Sequence, residues 1–157
     1  MVLSVTRRRF RAPGYADAFF AAAFAVFEQA QGSARHLGDV LADAGNVYRT
    51  KTAWQRREQM RAFVLARPHL DTMRRLGEWC DDATFVDWEQ DSGDLPDWRL
   101  SYGRLDADGQ VAKLAHPSAA HEVRDFPPPQ AVPSAAQDLD LGVRCRSSRG
   151  HMATPLT

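Results

Sequence analysis

His69 is the side chain in this sequence whose possible chemistry is easiest to name. It follows Pro68, which lacks a backbone donor and biases Arg67 away from helical geometry, so the imidazole falls at a break between two helical stretches. An imidazole titrates near neutrality and can take a proton from an acidic phenol or enol. It can instead ligate haem iron, or simply cap the start of a helix. Arg49 offers a permanent cation for a carboxylate or enolate, or an ion pair to Asp87 or Glu89 on another strand. Tyr48 and Trp54 supply flat walls for an aromatic guest, or ordinary packing between layers. Phe20, Phe24, Met60 and Phe63 are the apolar residues that would complete such a lining.

These residues need elements to position them. Val2 to Phe10 reads as a strand, with Leu3 and Val5 on one face and Ser4, Thr6 and Arg8 on the other. A helix follows over Tyr15 to Gln31, with Phe20, Phe24 and Phe27 at i, i+4 and i+7, flanked by Phe19, Ala23, Val26 and Ala30. Two strands come next, His36 to Ala42 and Asn46 to Trp54, joined by turn chemistry at Asp43-Ala44-Gly45-Asn46. In the second of them Tyr48, Thr50, Thr52 and Trp54 share one face; Val47, Arg49, Lys51 and Ala53 share the other. Gln55 to Ala66 is helical. After Pro68 a second helical piece places Leu70, Met73, Leu76 and Cys80 on one line, with Asp81-Asp82 as its stop and a final strand over Ala83 to Glu89. The order β-α-β-β-α-β predicts an α+β, ferredoxin-like fold, an antiparallel sheet with helices on one face. The other face needs a cover, and a second copy of the sheet is the expected one.

The boundaries read as 1–92 for this domain, 93–125 for an extension with one short helix near Pro96 to Leu105, and 126–157 for a disordered tail rich in Pro, Ser and Ala. Trp98 and Tyr102, four apart on the short helix, are placed to clasp the domain or a partner subunit.

Lys plus Arg and Asp plus Glu number 20 each, so the formal charge is zero. That argues against a general nucleic-acid binder, which needs a basic face for phosphates. The early cluster Arg7, Arg8, Arg9 and Arg11 and the acidic run from Asp81 to Asp97 read as solvated surface. Cys80 and Cys145 read as two unrelated thiols, with one disulfide as the alternative, and Cys80 as a small core residue. His116 and His121 are five apart with nothing to complete a site, so no metal is expected. Signatures for nucleotide binding, zinc proteolysis and the hydrolase elbow are missing. No apolar run reaches a membrane span, and the cytoplasm is the expected location.

The run T-x-T-x-W from Thr50 to Trp54, then M-R-A-F from Met60 to Phe63, His69, and W-C-D-D-A from Trp79 to Ala83 resembles the antibiotic biosynthesis monooxygenase-like superfamily. The nearest branch is a bacterial one related to spheroidene monooxygenase. P-D-W near Pro96 and H-P-S-A-A-H from His116 extend the resemblance, which spans about Val2 to His121. The chain departs from that branch at Arg49, at Gln55-Arg56 and at Leu70-Asp71. The resemblance implies a ferredoxin-like monomer whose sheet pairs with a second into a dimeric α/β barrel, with a small-molecule pocket between sheet and helices. It covers cofactor-free oxygenases of polyketide aromatics, haem-degrading enzymes, other haem proteins and non-enzymatic relatives. The expectations are therefore a homodimer and a small hydrophobic or aromatic ligand. Oxidation without a cofactor is expected, with His69 as base and Arg49 as anion stabiliser. The alternatives are a non-catalytic dimeric module and a haem protein.

Overall fold

The computed structural model describes residues 1–31, 37–43, 45–92 and 94–130; within these, the side chains of Phe24 and of residues 27–31 and 37–43 are not described. Strands β1 (Val2–Phe10), β2 (Leu37–Asp43), β3 (Val47–Trp54) and β4 (Cys80–Glu89) form an antiparallel sheet in the order β2-β3-β1-β4. A two-residue strand, β5 (Gln110–Val111), pairs antiparallel along the outer edge of β4. Helix α1 (Pro13–Gln31) links β1 to β2; α2 (Arg57–Leu65) and α3 (His69–Trp79) link β3 to β4. This is the expected ferredoxin-like α+β arrangement.

Pro13 opens α1, where its missing N–H removes nothing a helix would use. The buried stripe of α1 is Ala16, Phe19 and Ala23. In α3 it is Thr72, Leu76 and Trp79, at i, i+4 and i+7 where α1 has i, i+3 and i+7. These stripes meet with Phe10 and Cys80 in the main core. Gly45 and Asn46 take φ of +71° and +61° before β3, a left-handed conformation both residue types tolerate.

The α3–β4 junction corrects the expectation from sequence. Cys80 does not continue the helical line, and Asp81-Asp82 does not end it: the backbone turns extended at Cys80 (φ −105°, ψ 147°), and all three residues belong to β4. The cause is pairing with β1, which matches Phe10 to Cys80 and Arg9 to Asp82 across a bulge. Cys80 is a buried, unbridged thiol, and burial pushes it up to about 12. Cys145 lies outside the described residues.

The face of the sheet opposite α1, α2 and α3 is covered by the chain's own extension. Helix α4 (Trp98–Asp108), β5 and the short α5 (Ala119–Val123) pack across or beside β4 and β1. Asp97 caps α4 by accepting from Leu100 N at 2.7 Å, and Ser118 caps α5 by accepting from His121 N at 3.2 Å. Leu105 of α4 is buried on Val5 and Val86, beside Trp88. Fully burying a leucine contributes roughly 1.5–3 kcal/mol.

The cations of this face meet the extension as well. Lys51 Nζ donates to Pro96 O at 2.8 Å and lies 4.3 Å from the Trp98 ring centre. Arg49 donates to Pro127 O at 3.2 Å. Arg7 is ion-paired with Asp82 and stacks on Phe126 at 5.2 Å. Phe126, where the tail was expected to begin, is buried, and its carbonyl accepts from the Tyr102 hydroxyl at 3.1 Å. Residues 131–157, the rest of that tail, lie outside the described residues. Among the described residues no helix is long and apolar enough to cross a membrane.

Candidate functional site

The helix-covered face of the sheet encloses a cavity of about 130 Å³. Its floor is a run of hydroxyls. Alternation along β1 and β3 turns Ser4, Thr6, Thr50 and Thr52 to this side. The Thr6 and Thr50 hydroxyls are directly opposed on paired strands and share a hydrogen bond of 2.6 Å. The roof is apolar: Phe19 and Phe20 from α1, Met60 and Phe63 from α2, Met73 from α3.

One wall is a row of rings. Trp54 lies 4.9 Å from Phe63, and Phe63 lies 4.7 Å from the His69 imidazole. Trp54 Nε1 is held by Thr52 Oγ1 at 3.0 Å, which fixes the indole against the floor.

His69 stands at the start of α3, and its Nδ1 is 3.1 Å from the carbonyl of Val64. A carbonyl can only accept, so Nδ1 must carry the proton. In the neutral ring Nε2 is then the basic nitrogen. Desolvation pushes the imidazole below its ordinary value; the Val64 hydrogen bond acts in the opposite direction, and the nearby Arg8 cation adds to the lowering. At neutral pH this ring is an uncharged base.

Several residues anticipated from the sequence meet here: Trp54, Phe20, Met60, Phe63 and His69 all line the cavity. Tyr48 does not. It packs edge-on to Phe10 and Phe20 at 5.6 and 4.9 Å, in the core beside the cavity. The side chain of Phe24 lies outside the described ones. Arg49, expected as an anion stabiliser, is on the opposite face of the sheet, buried beneath the extension. Strand alternation enforces this, since Arg49 stands one residue from Tyr48 and from Thr50. Its expected partners Asp87 and Glu89 are engaged by Arg57 instead.

The sequence reading also missed a residue. Arg8 was placed with a solvated cluster, yet it is buried and lines the cavity. Its Nη2 donates to Thr6 Oγ1 at 2.7 Å, and its guanidinium lies 4.8 Å from the Phe19 ring centre. Burial lowers its pKa to about 10, which leaves it charged at neutral pH. The available signal was positional: Arg8 alternates onto the face of Ser4 and Thr6, and β1 is central in the sheet.

No group of three or more His, Cys, Asp and Glu side chains is arranged for a metal among the described residues. His121 is buried, with Nε2 3.1 Å from Ala112 O and Nδ1 3.4 Å from Ala83 N; His116 lies 3.6 Å from the exposed Glu78. Haem does not fit the cavity as it stands. A void of about 150 Å³ holds one benzene, and a tetrapyrrole is several times larger.

No protein-family profile and no curated protein matches the chain. Solved structures do. An antibiotic biosynthesis monooxygenase superposes with a TM-score of 0.50 at 12% identity, covering 59% of this chain and 100% of that one. A conserved protein from Methanosarcina mazei Go1 gives 0.50 at 8% identity, covering 57% and 92%. At such identities the likeness is one of fold, and it does not reach the branch related to spheroidene monooxygenase. With its sheet and its helix-covered cavity, the chain shares the ferredoxin-like α+β fold of that antibiotic biosynthesis monooxygenase.

Proposed function

We propose that this protein binds a small, flat, hydrophobic or aromatic molecule in the cavity between sheet and helices and oxidises it with dioxygen, in the cytoplasm and without a bound cofactor. The observation that carries this reading is His69. It is a desolvated imidazole with its Nδ1 proton committed to Val64 O, set in a wall of aromatic rings. Nε2 takes the hydroxyl proton of an electron-rich phenol. The resulting anion passes an electron to O₂. Recombination places one oxygen on a ring carbon, and the other leaves as water, giving a quinone. The base supplies the anion, and the apolar roof excludes solvent from it. The monooxygenase fold is consistent with this chemistry but does not fix it.

A second reading, a module that binds a small molecule without turning it over, is favoured by one observation. The polar groups of the floor largely satisfy one another, as in the Thr6–Thr50 and Trp54–Thr52 pairs. Oxygen uptake with single-ring dihydroxybenzenes separates the two. Uptake is expected to fall by about 10²-fold or more in His69→Ala, the usual contribution of a positioned base. Equal uptake in both proteins removes His69 from the scheme; binding with no uptake in either leaves the binding module. Whether a second copy joins the assembly is read from sedimentation of the same samples.

A further inference from the structure

Arg7 and Arg8 are consecutive on β1, so their side chains leave the sheet on opposite faces. Arg7 has a carboxylate, Asp82. Among the described residues Arg8 has none: its partners are the Thr6 hydroxyl and the face of Phe19. Neither carries a charge. A guanidinium has five N–H donors in a fixed fork, and a single hydroxyl uses one of them.

The groups nearest Arg8 do not supply the missing anion. Among the described residues Cys80 is the one acidic-type group that acts on it electrostatically, and with its thiol pushed up to about 12 it is neutral at physiological pH. His69, the other titratable group on the cavity, is a base. Taking a cation out of water without a counter-charge is costly, and replacing such a group by an apolar one is often harmless to stability. A buried guanidinium that lines the cavity, with no carboxylate beside it among the described residues, is suited to an anion that arrives with a ligand.

We propose that the cavity selects ligands carrying an ionised oxygen, a carboxylate, phenolate or enolate on a body of about one aromatic ring, and that Arg8 is the residue that holds that oxygen. The ring lies between Phe19 and the Trp54–Phe63 wall, and its anionic end lies at the Thr6–Arg8 corner. The void of about 130 Å³ sets the size, since one benzene occupies a void of about 150 Å³. The assignment rests on reading this cavity as a ligand site. It differs from that reading in naming the charge of the guest and the residue that recognises it, whether or not the guest is then oxidised.

The test uses three probes of nearly equal size on the full chain: benzoate, benzamide and toluene. Binding is followed by calorimetry and by chemical-shift changes at Thr6 and Thr50. Benzoate is expected to bind at least about 10-fold more tightly than benzamide, the equivalent of one charge-assisted hydrogen bond. Arg8→Met is expected to abolish that preference while leaving toluene binding in place. Equal affinity for benzoate and benzamide in the unaltered chain overturns the assignment, and this comparison needs no variant to fold. Toluene binding with no benzoate binding overturns it too, but leaves the cavity as a ligand site. If none of the three shifts Thr6 or Thr50, the cavity is not a ligand site, and both readings fall.

Discussion

Two neighbouring arginines are buried on opposite sides of one sheet, and their surroundings differ in kind. On the extension side Arg7 is enclosed with Asp82, with His121 3.7 Å from the same carboxylate and Phe126 stacked on the guanidinium. On the helix side Arg8 has a hydroxyl, an aromatic ring and a cavity. The first arrangement closes its charges against each other and joins the extension to the sheet. The second leaves a charge at the edge of a cavity with no carboxylate beside it among the described residues. Burial of a charged residue therefore says little by itself, and the presence or absence of a counter-charge separates a structural cation from one that awaits a ligand.

The comparison breaks first at Asp82. Asp82→Ala leaves the Arg7 cation buried without its carboxylate, and the expected loss is about 3–5 kcal/mol by urea denaturation. A loss below about 1 kcal/mol would mean that Arg7 reaches solvent once its partner is gone, and the two arginines would then be alike.

Gly109→Ala probes how closely the extension sits on β4. A Cβ there would lie 2.2 Å from Leu105 O and 2.9 Å from Thr84 Oγ1. The expected cost is about 1–3 kcal/mol, with the loosening concentrated in 96–127 when followed by hydrogen exchange. Uniform loosening of the whole chain would show that extension and sheet unfold as one unit.

Arg8→Met sharpens the contrast from the other side. It exchanges a cation that has no carboxylate partner among the described residues for an apolar chain of similar reach, so the melting temperature is expected to hold or rise. A fall comparable to that of Asp82→Ala would make Arg8 as structural as Arg7.

The smallest effect concerns pH. The folded state holds His69 below its ordinary value of 6.5, so on acidification the unfolded chain binds a proton that the folded one resists. The stability from this group is present above pH 6.5 and is lost as pH falls from there through the lowered folded value. His69→Gln should flatten that part of the stability curve, and an unchanged slope would assign it elsewhere.

Much of the fold was legible in the sequence because period-2 and period-3.6 patterns are local. β1, β3 and α1 fall within a residue or two of where alternation and helical stripes place them. That Trp54, Met60, Phe63 and His69 line one cavity was legible for the same reason. What failed was non-local. Nothing in R-R-R says that Asp82, 75 residues away, buries one arginine, or that a cavity takes the next. Residue type argued for solvent in both cases. Arg49 went to the wrong chamber although its alternation was plain, because its charge was weighed above its parity. Cys80 read as helix because its apolar spacing continued that of α3, while strand pairing to Phe10 decided the matter.

The extension that lies over the sheet face opposite α1, α2 and α3 has a consequence for assembly. A segment tethered to the sheet competes for it at an effective concentration on the order of millimolar, set by chain length rather than by the amount of protein. A second copy that sought the same face would have to displace Leu105, Phe126 and the contacts of Lys51 and Arg49. Face-to-face pairing therefore requires the two extensions to move aside or to be exchanged between subunits, and such an exchange would be slow and would leave each sheet with the same contacts it has alone.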